Sequence, residues 1–196
     1  MPWLTFMKEV VRSNKTTGAL GPSSKALAEA VTEVAGLSGA KTVVEYGCGE
    51  GVFTEVICRK LDPEAFFLSL EVNAALVEVT RKRCPGALVI HDGAQNTSKH
   101  LTQHGKDHCD VIVSSLPWSR FDTALQNEIL EATYEVLAPG GRFVTFAYTF
   151  SPLFRSGRHF FQDTLPKKFP SVRRVGPIFK NFPPCHIYVA VKPQSK

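Results

Sequence analysis

No apolar run in the sequence approaches the roughly 18 to 20 residues that span a bilayer. The N-terminus also lacks the basic-then-apolar layout of a signal peptide, because Lys8 and Glu9 interrupt it. Both absences lead to the expectation of an intracellular, cytoplasmic protein. Cysteine is sparse: Cys48, Cys58, Cys84, Cys109 and Cys185 are odd in number, scattered, and never in a CxxC pair. That pattern argues against a disulfide framework or a zinc ribbon and fits a reducing compartment. There is no internal repeat and no low-complexity stretch. With 43% hydrophobic and 21% charged residues over 196 positions, disorder, collagen and coiled coil are excluded, leaving one domain with a short N-terminal appendage.

Acid is nearly missing from the last quarter. Residues 151–196 hold nine Lys/Arg and only Asp163 on the acidic side, whereas residues 1–150 hold 14 Lys/Arg against 17 Asp/Glu. The net charge of +5 is thus a property of the C-terminal region, which should attract anions such as phospholipid headgroups, nucleic acid or an acidic small molecule.

What is present is an alternation of short apolar runs and helical patterns. Lys41 to Tyr46, Phe66 to Val72, Ala87 to His91, Asp110 to Ser114 and Arg142 to Tyr148 are strand-like, being short and rich in Val, Ile, Leu and Phe. Ser24 to Ala35, Val52 to Leu61, Ala74 to Arg83 and Thr123 to Leu137 are helix-like, the last ended by Pro139, Gly140 and Gly141. Continuous apolar strands separated by helices imply βαβ units and a parallel sheet covered on both faces. Val172 to Lys180 and His186 to Val191 are joined by Asn181-Phe182-Pro183-Pro184. That linker is too short for a crossover helix, so an antiparallel hairpin is expected at one sheet edge. The expected fold class is α/β, a doubly wound, mostly parallel seven-stranded sheet.

The first strand runs into Glu45-Tyr46-Gly47-Cys48-Gly49-Glu50-Gly51, then a helix. Glycines there let the backbone bend sharply and approach a ligand, at the crevice where open α/β sheets bind. The pattern departs from GxGxxG, since Val52 stands where that spacing wants its last glycine. Glu71 ends the second strand, where an acid can grip a ribose diol.

This constellation resembles the class I S-adenosylmethionine-dependent methyltransferases over roughly residues 24–191. The resemblance implies S-adenosyl-L-methionine as cofactor, with Gly47, Gly49 and Gly51 under its methionine part and Glu71 on its ribose. By the same carry-over Glu45 holds its amino-acid end and Asp92 of His91-Asp92-Gly93-Ala94 lies near the adenine, with Gly93 and Ser114 counted among the cofactor-binding residues. The turn Ser114-Ser115-Leu116-Pro117-Trp118 stands where methyltransferases of exocyclic adenine amines carry Asn or Asp, then Pro and an aromatic. Ser115 departs from that pattern, and a hydroxyl cannot reproduce the two-ended amide contact. The turn is instead similar to that of bacterial phospholipid N-methyltransferases. So are Phe6 with Gly18-Ala19-Leu20-Gly21-Pro22-Ser23-Ser24, Leu137 to Phe143, Phe146-Ala147-Tyr148 and Asn181-Phe182-Pro183-Pro184.

The implied reaction is methyl transfer to the amine of an aminolipid headgroup such as phosphatidylethanolamine. Ser115 and Tyr148 would be hydrogen-bond partners of the amine, and Trp118 and Phe146 aromatic walls for a cationic nitrogen; for each, packing under a loop is the competing reading. Residues 1–20 are expected to form an amphipathic helix or lid and 21–196 the methyltransferase domain. Trp3, Phe6, Met7 and Val10 share a helical face, with Lys8, Arg12 and Lys15 largely elsewhere, which suits an anionic membrane surface at the inner face of a membrane. Three alternatives stay open: a small-molecule methyltransferase, an RNA methyltransferase, and a non-catalytic lipid or nucleic-acid binding module. His100, His104 and His108 are spaced four apart, but Gly105 interrupts the helix that would stack them, and no metal site is assigned.

Overall fold

The computed structural model describes residues 24–194; the expected N-terminal helix or lid at residues 1–20 lies outside them. Seven strands form one sheet: β1 (Thr42–Tyr46), β2 (Phe66–Glu71), β3 (Leu88–His91), β4 (Cys109–Ser114), β5 (Leu137–Tyr148), β6 (Ser171–Ile178) and β7 (Cys185–Val191). Their order is β3-β2-β1-β4-β5-β7-β6. The first five are parallel, while β7 runs antiparallel to both β5 and β6. The mostly parallel sheet with an antiparallel C-terminal hairpin is therefore observed.

Helices cover both faces. Helix α1 (Lys25–Ala35) starts where Ser24 accepts from the Leu27 amide and stops at Gly36, which is left-handed. It packs with α2 (Val52–Lys60), so that Leu27, Val31, Phe53 and Ile57 cover Val43, Val111 and Val144. Helix α3 (Ala74–Arg83) is capped by Asn73, whose side chain accepts from the Ala75 and Leu76 amides. On the opposite face α4 (Thr97–Gln103) and α5 (Thr123–Val136) bring Leu101, Ile129 and Leu130 against Val44, Leu68, Ile112 and Phe143.

Three details differ from the sequence expectation. Strand β5 begins at Leu137 and absorbs Pro139-Gly140-Gly141, because the Gly140 amide donates to the Lys192 carbonyl and the Lys192 amide to Gly141, each at 2.9 Å. The Lys192 ammonium also donates to the Tyr134 and Leu137 carbonyls at 2.7 Å, closing the C-terminus of α5. Helix α4 leaves no signal in the sequence, because TSKHLTQ carries one aliphatic residue and so no apolar periodicity. The helical stretch over 155–168, with a π-helical turn at Phe160–Thr164, was hidden by Gly157 and Pro166. It is held by packing, since Phe160 stacks on Trp118 at 4.2 Å between ring centres.

Candidate active site

The order in which successive strands are laid down reverses between β1 and β4: β1 pairs with β2 on one side and, in parallel, with β4 on the other. In open α/β sheets the crevice at such a switch point, at the C-terminal strand ends, is the usual ligand site. The sequence-derived candidates gather along this end. Tyr46 lies opposite Leu70 and Ser114, Glu71 opposite His91, and Ser114 opposite Thr145, three residues before Tyr148.

The turn after β1 is bound into its neighbours on all sides. Gly47 has φ +78° and donates its amide to the Leu70 carbonyl at 2.8 Å. A Cβ there would be strained by that φ and would sit 3.1 Å from Leu116 Cδ2 and 3.3 Å from Ser115 Oγ. Gly49 donates its amide to Glu71 Oε2 at 3.1 Å, and its carbonyl accepts from Thr80 Oγ1 at 2.8 Å. Space beyond its missing Cβ is open. Gly51 caps α2 in the left-handed region.

Three carboxylates end or support the strands, in three different environments. Glu45 is fully buried. Its Oε2 accepts from Thr54 Oγ1 at 2.7 Å and Ser69 Oγ at 2.8 Å, while its Oε1 is buried with no hydrogen-bond partner. Burial pushes its pKa up to about 7, against the two hydroxyl bonds that favour the charged form. Glu71 is buried too, and desolvation raises its pKa, opposed by amides of Asn73, Gly49 and Val72. Asn73 donates to its Oε1 at 2.8 Å. Burial also disfavours the charge on Asp92, but bonds from Asn96, His100 and Gly93 outweigh it and hold the carboxyl below its ordinary range. The His100 Nε2 contact to Asp92 Oδ2 measures 2.8 Å. Sequence reasoning weighed His100 only within the spaced histidines; its partnership with Asp92 has no local signal. The described residues contain no cluster of metal-ligating side chains.

The pKa of Glu45 carries a pH prediction. An acid whose folded pKa lies above its ordinary 4.5 holds an extra proton in the folded state between those values, so its contribution to stability falls as pH rises from about 4.5 to about 7. Urea unfolding of the cofactor-free chain is therefore expected to show the wild type losing stability relative to Glu45→Gln between pH 5 and pH 8. Parallel stability profiles for the two proteins would contradict the assignment.

On the β4 side the structure separates the candidates. Ser114 is buried, and its carbonyl accepts from Thr145 Oγ1 at 3.0 Å. Ser115 turns its hydroxyl onto the glycine turn, donating to the Gly47 carbonyl, with Tyr46 O at 3.3 Å, and its amide donates to Tyr46 O at 3.0 Å. Trp118 is 1% exposed. It donates its indole N–H to Thr145 Oγ1 at 3.1 Å and is enclosed by Phe121, Phe143 and Phe160. Its surroundings are core packing. Phe146 stacks on Phe53 at 5.7 Å. Tyr148 remains part-exposed at the end of β5, stacked on Phe150 at 5.3 Å, and desolvation pushes its phenol up to about 12. It is therefore a neutral hydroxyl at ordinary pH.

Comparison with known proteins bears on the family and the fold. A family model described as "Methyltransferase domain" matches residues 43–141, from the first strand into the first residues of β5. An ornithine lipid N-methyltransferase from Singulisphaera acidiphila is 28% identical over 141 residues, covering 70% of this chain and 73% of that protein. Among solved structures, an O-methyltransferase from Bacillus cereus in complex with SAH has a TM-score of 0.65 at 15% identity, covering 96% of this chain and 91% of that one. A protein from Clostridium thermocellum assigned as an rRNA methylase has a TM-score of 0.65 at 18% identity, covering 90% and 100%. The unpartnered Glu45 Oε1 and the open space over Gly49 suit a ligand that brings a donor to the foot of the turn and lies close to its backbone. The chain belongs to the class I S-adenosylmethionine-dependent methyltransferases, the family whose cofactor is S-adenosylmethionine.

Proposed function

We propose that the protein transfers a methyl group to the primary amine of an aminolipid headgroup, of the ornithine-lipid or phosphatidylethanolamine kind, at a membrane surface. The observation that carries this reading is the 28% identity to an ornithine lipid N-methyltransferase across 70% of the chain. The basic C-terminal quarter adds support, since a lipid phosphate or an anionic bilayer is its natural counter-charge.

S-adenosylmethionine, when bound, supplies an electrophilic methyl group on a sulfonium. The chain's residues then have three tasks. Gly47, Gly49 and Gly51 let the backbone approach the methionine part, with Glu45 as acceptor for its ammonium and Glu71 as acceptor for the ribose hydroxyls. Asp92, with its charge held by His100 and Asn96, together with Gly93 and Ser114, borders the adenine end. On the acceptor side, Tyr148 holds the amine by its neutral hydroxyl, and Phe146 and Leu116 give an apolar surround. An alkylammonium has no lone pair to attack with, so partial desolvation there lowers the amine's pKa and releases the proton to water before transfer. Ser115 acts by fixing the β4 turn to the glycine turn, and Trp118 by seating that turn on the core. Positioning for in-line displacement supplies most of the rate.

Purified protein with radiolabelled S-adenosylmethionine, offered phosphatidylethanolamine vesicles, ornithine-lipid vesicles, free ethanolamine and total RNA in parallel, tests the reading. Label is expected in an aminolipid fraction. Label confined to RNA or to the soluble amine would overturn it.

A further inference from the structure

Among the described residues five large apolar side chains are exposed, and four of them lie in two loops at one end of the sheet: Leu153 at 82%, Phe154 at 53%, Phe179 at 77% and Phe182 at 93%. Exposed apolar groups gathered in one place mark an interaction surface, whereas scattered ones do not. The two loops adjoin. Tyr148 at the end of β5 pairs with Cys185 at the start of β7, and the Thr149 amide donates to the Pro184 carbonyl at 2.9 Å.

The phenylalanines are held out by a braced turn. Asn181 is buried, donates Nδ2 to the Pro183 carbonyl at 2.8 Å and accepts on Oδ1 from the Ser24 amide at 3.2 Å. Phe182 follows it directly and points into solvent. Phe150, behind the other loop, bridges from Tyr148 to Phe154 through ring contacts of 5.3 and 6.4 Å.

The charged residues on these loops and next to them in the chain have one sign. Arg155 and Arg158 follow Phe154, and Lys180 stands between Phe179 and Phe182, all exposed. No acid occurs in residues 149–162 or 164–196, and Asp163 is paired with His159 at 3.1 Å. Aromatic and aliphatic side chains ringed by Arg and Lys, without acid, suit the boundary between acyl chains and anionic headgroups.

We infer that loops 149–154 and 179–184 are a membrane-docking edge: Leu153, Phe154, Phe179 and Phe182 enter the outer acyl layer of an anionic bilayer, and Arg155, Arg158 and Lys180 contact its phosphates. The edge stands beside Tyr148, so docking there brings the acceptor side of the crevice to headgroup level. The purpose of the edge rests on the aminolipid reading; its existence can be tested without it.

The test uses the full chain and vesicles of phosphatidylcholine and phosphatidylglycerol, which carry no primary amine on a substrate headgroup of the proposed kind. Phe179→Ser with Phe182→Ser, and separately Leu153→Ser with Phe154→Ser, are each expected to weaken vesicle partitioning at least about tenfold. Because these side chains are exposed, the thermal midpoint should be unchanged. In a Phe182→Trp variant, vesicles of brominated lipid should quench the added indole emission beyond the quenching seen in wild type. Partitioning equal to wild type in both double variants would overturn the edge. So would a Phe182→Trp emission that is already blue-shifted and indifferent to vesicles, which would mean that residues 1–23, or a second copy of the chain, cover the site. Docking through these residues without methylation of any aminolipid would overturn the proposed function alone. Aminolipid methylation undiminished by the double variants would overturn the edge alone.

Discussion

Replacing Glu71 by alanine is expected to weaken S-adenosylmethionine binding by about 100-fold or more, the loss of roughly 2.7 kcal/mol. Two effects add. The carboxylate is the one buried acceptor at the end of β2, so the ribose hydroxyls lose a charge-assisted partner, which is about twice as strong as a neutral one. The same oxygens accept from the Gly49 and Asn73 amides at 3.1 and 2.8 Å, and leaving buried amides unpaired costs about 1 to 3 kcal/mol. The glycine turn then loses the bond that sets its height above β2. Calorimetric titration measures the affinity and urea unfolding the stability. Asn73→Ala serves as the control, since it removes only the cap of α3, costing about 1 kcal/mol, and should leave affinity nearly intact. Equal affinity in wild type and Glu71→Ala would place the ribose elsewhere.

The second large effect concerns Trp118, where sequence and structure suggest different roles. The Leu-Pro-Trp turn invites an aromatic wall at the reacting amine. In the fold the indole is buried, stacks on Phe160, meets Phe121 and Phe143 edge-on, and donates to Thr145 Oγ1. Its carbonyl also accepts from Gln126 Nε2 of α5 at 2.7 Å. Trp118→Ala is therefore expected to cost about 3 to 5 kcal/mol of folding free energy, a large part of the 5 to 15 kcal/mol typical of a whole domain. Trp118→Phe should cost much less. A denaturation midpoint unchanged in Trp118→Ala, with only the turnover rate reduced, would restore the catalytic reading.

How much of this was legible in the sequence depends on whether the signal is local. The strands of the parallel sheet are short runs of Val, Ile, Leu and Phe, and α3 begins and ends where the expectation put it, at Ala74 and Arg83. Three positive-φ glycines after β1 and an acid at the end of β2 are local signals, and they fall in one crevice. Partnerships across sequence distance left no such trace. Nothing near Ser115 announces that its hydroxyl meets the Gly47 carbonyl, 68 residues away. Nothing near Asp92 announces that His100, read with its spaced neighbours, holds its charge. The buried face of Trp118 is set by the stretch at 155–168, whose Gly157, Pro166 and adjacent phenylalanines obscure any helical period. The exposed phenylalanines of the β6–β7 turn are visible as residues, but their exposure is a property of the fold.

The most direct test of the account is a crystal structure of the chain with bound S-adenosylhomocysteine. The ribose is expected on Glu71, the amino group within hydrogen-bond reach of Glu45 directly or through one water, and the sulfur facing the Ser115-Leu116 turn and Tyr148. Product bound away from the β1–β4 crevice, for instance in the surface cleft between Cys58 and Pro85, or with its ribose turned from Glu71, would contradict it.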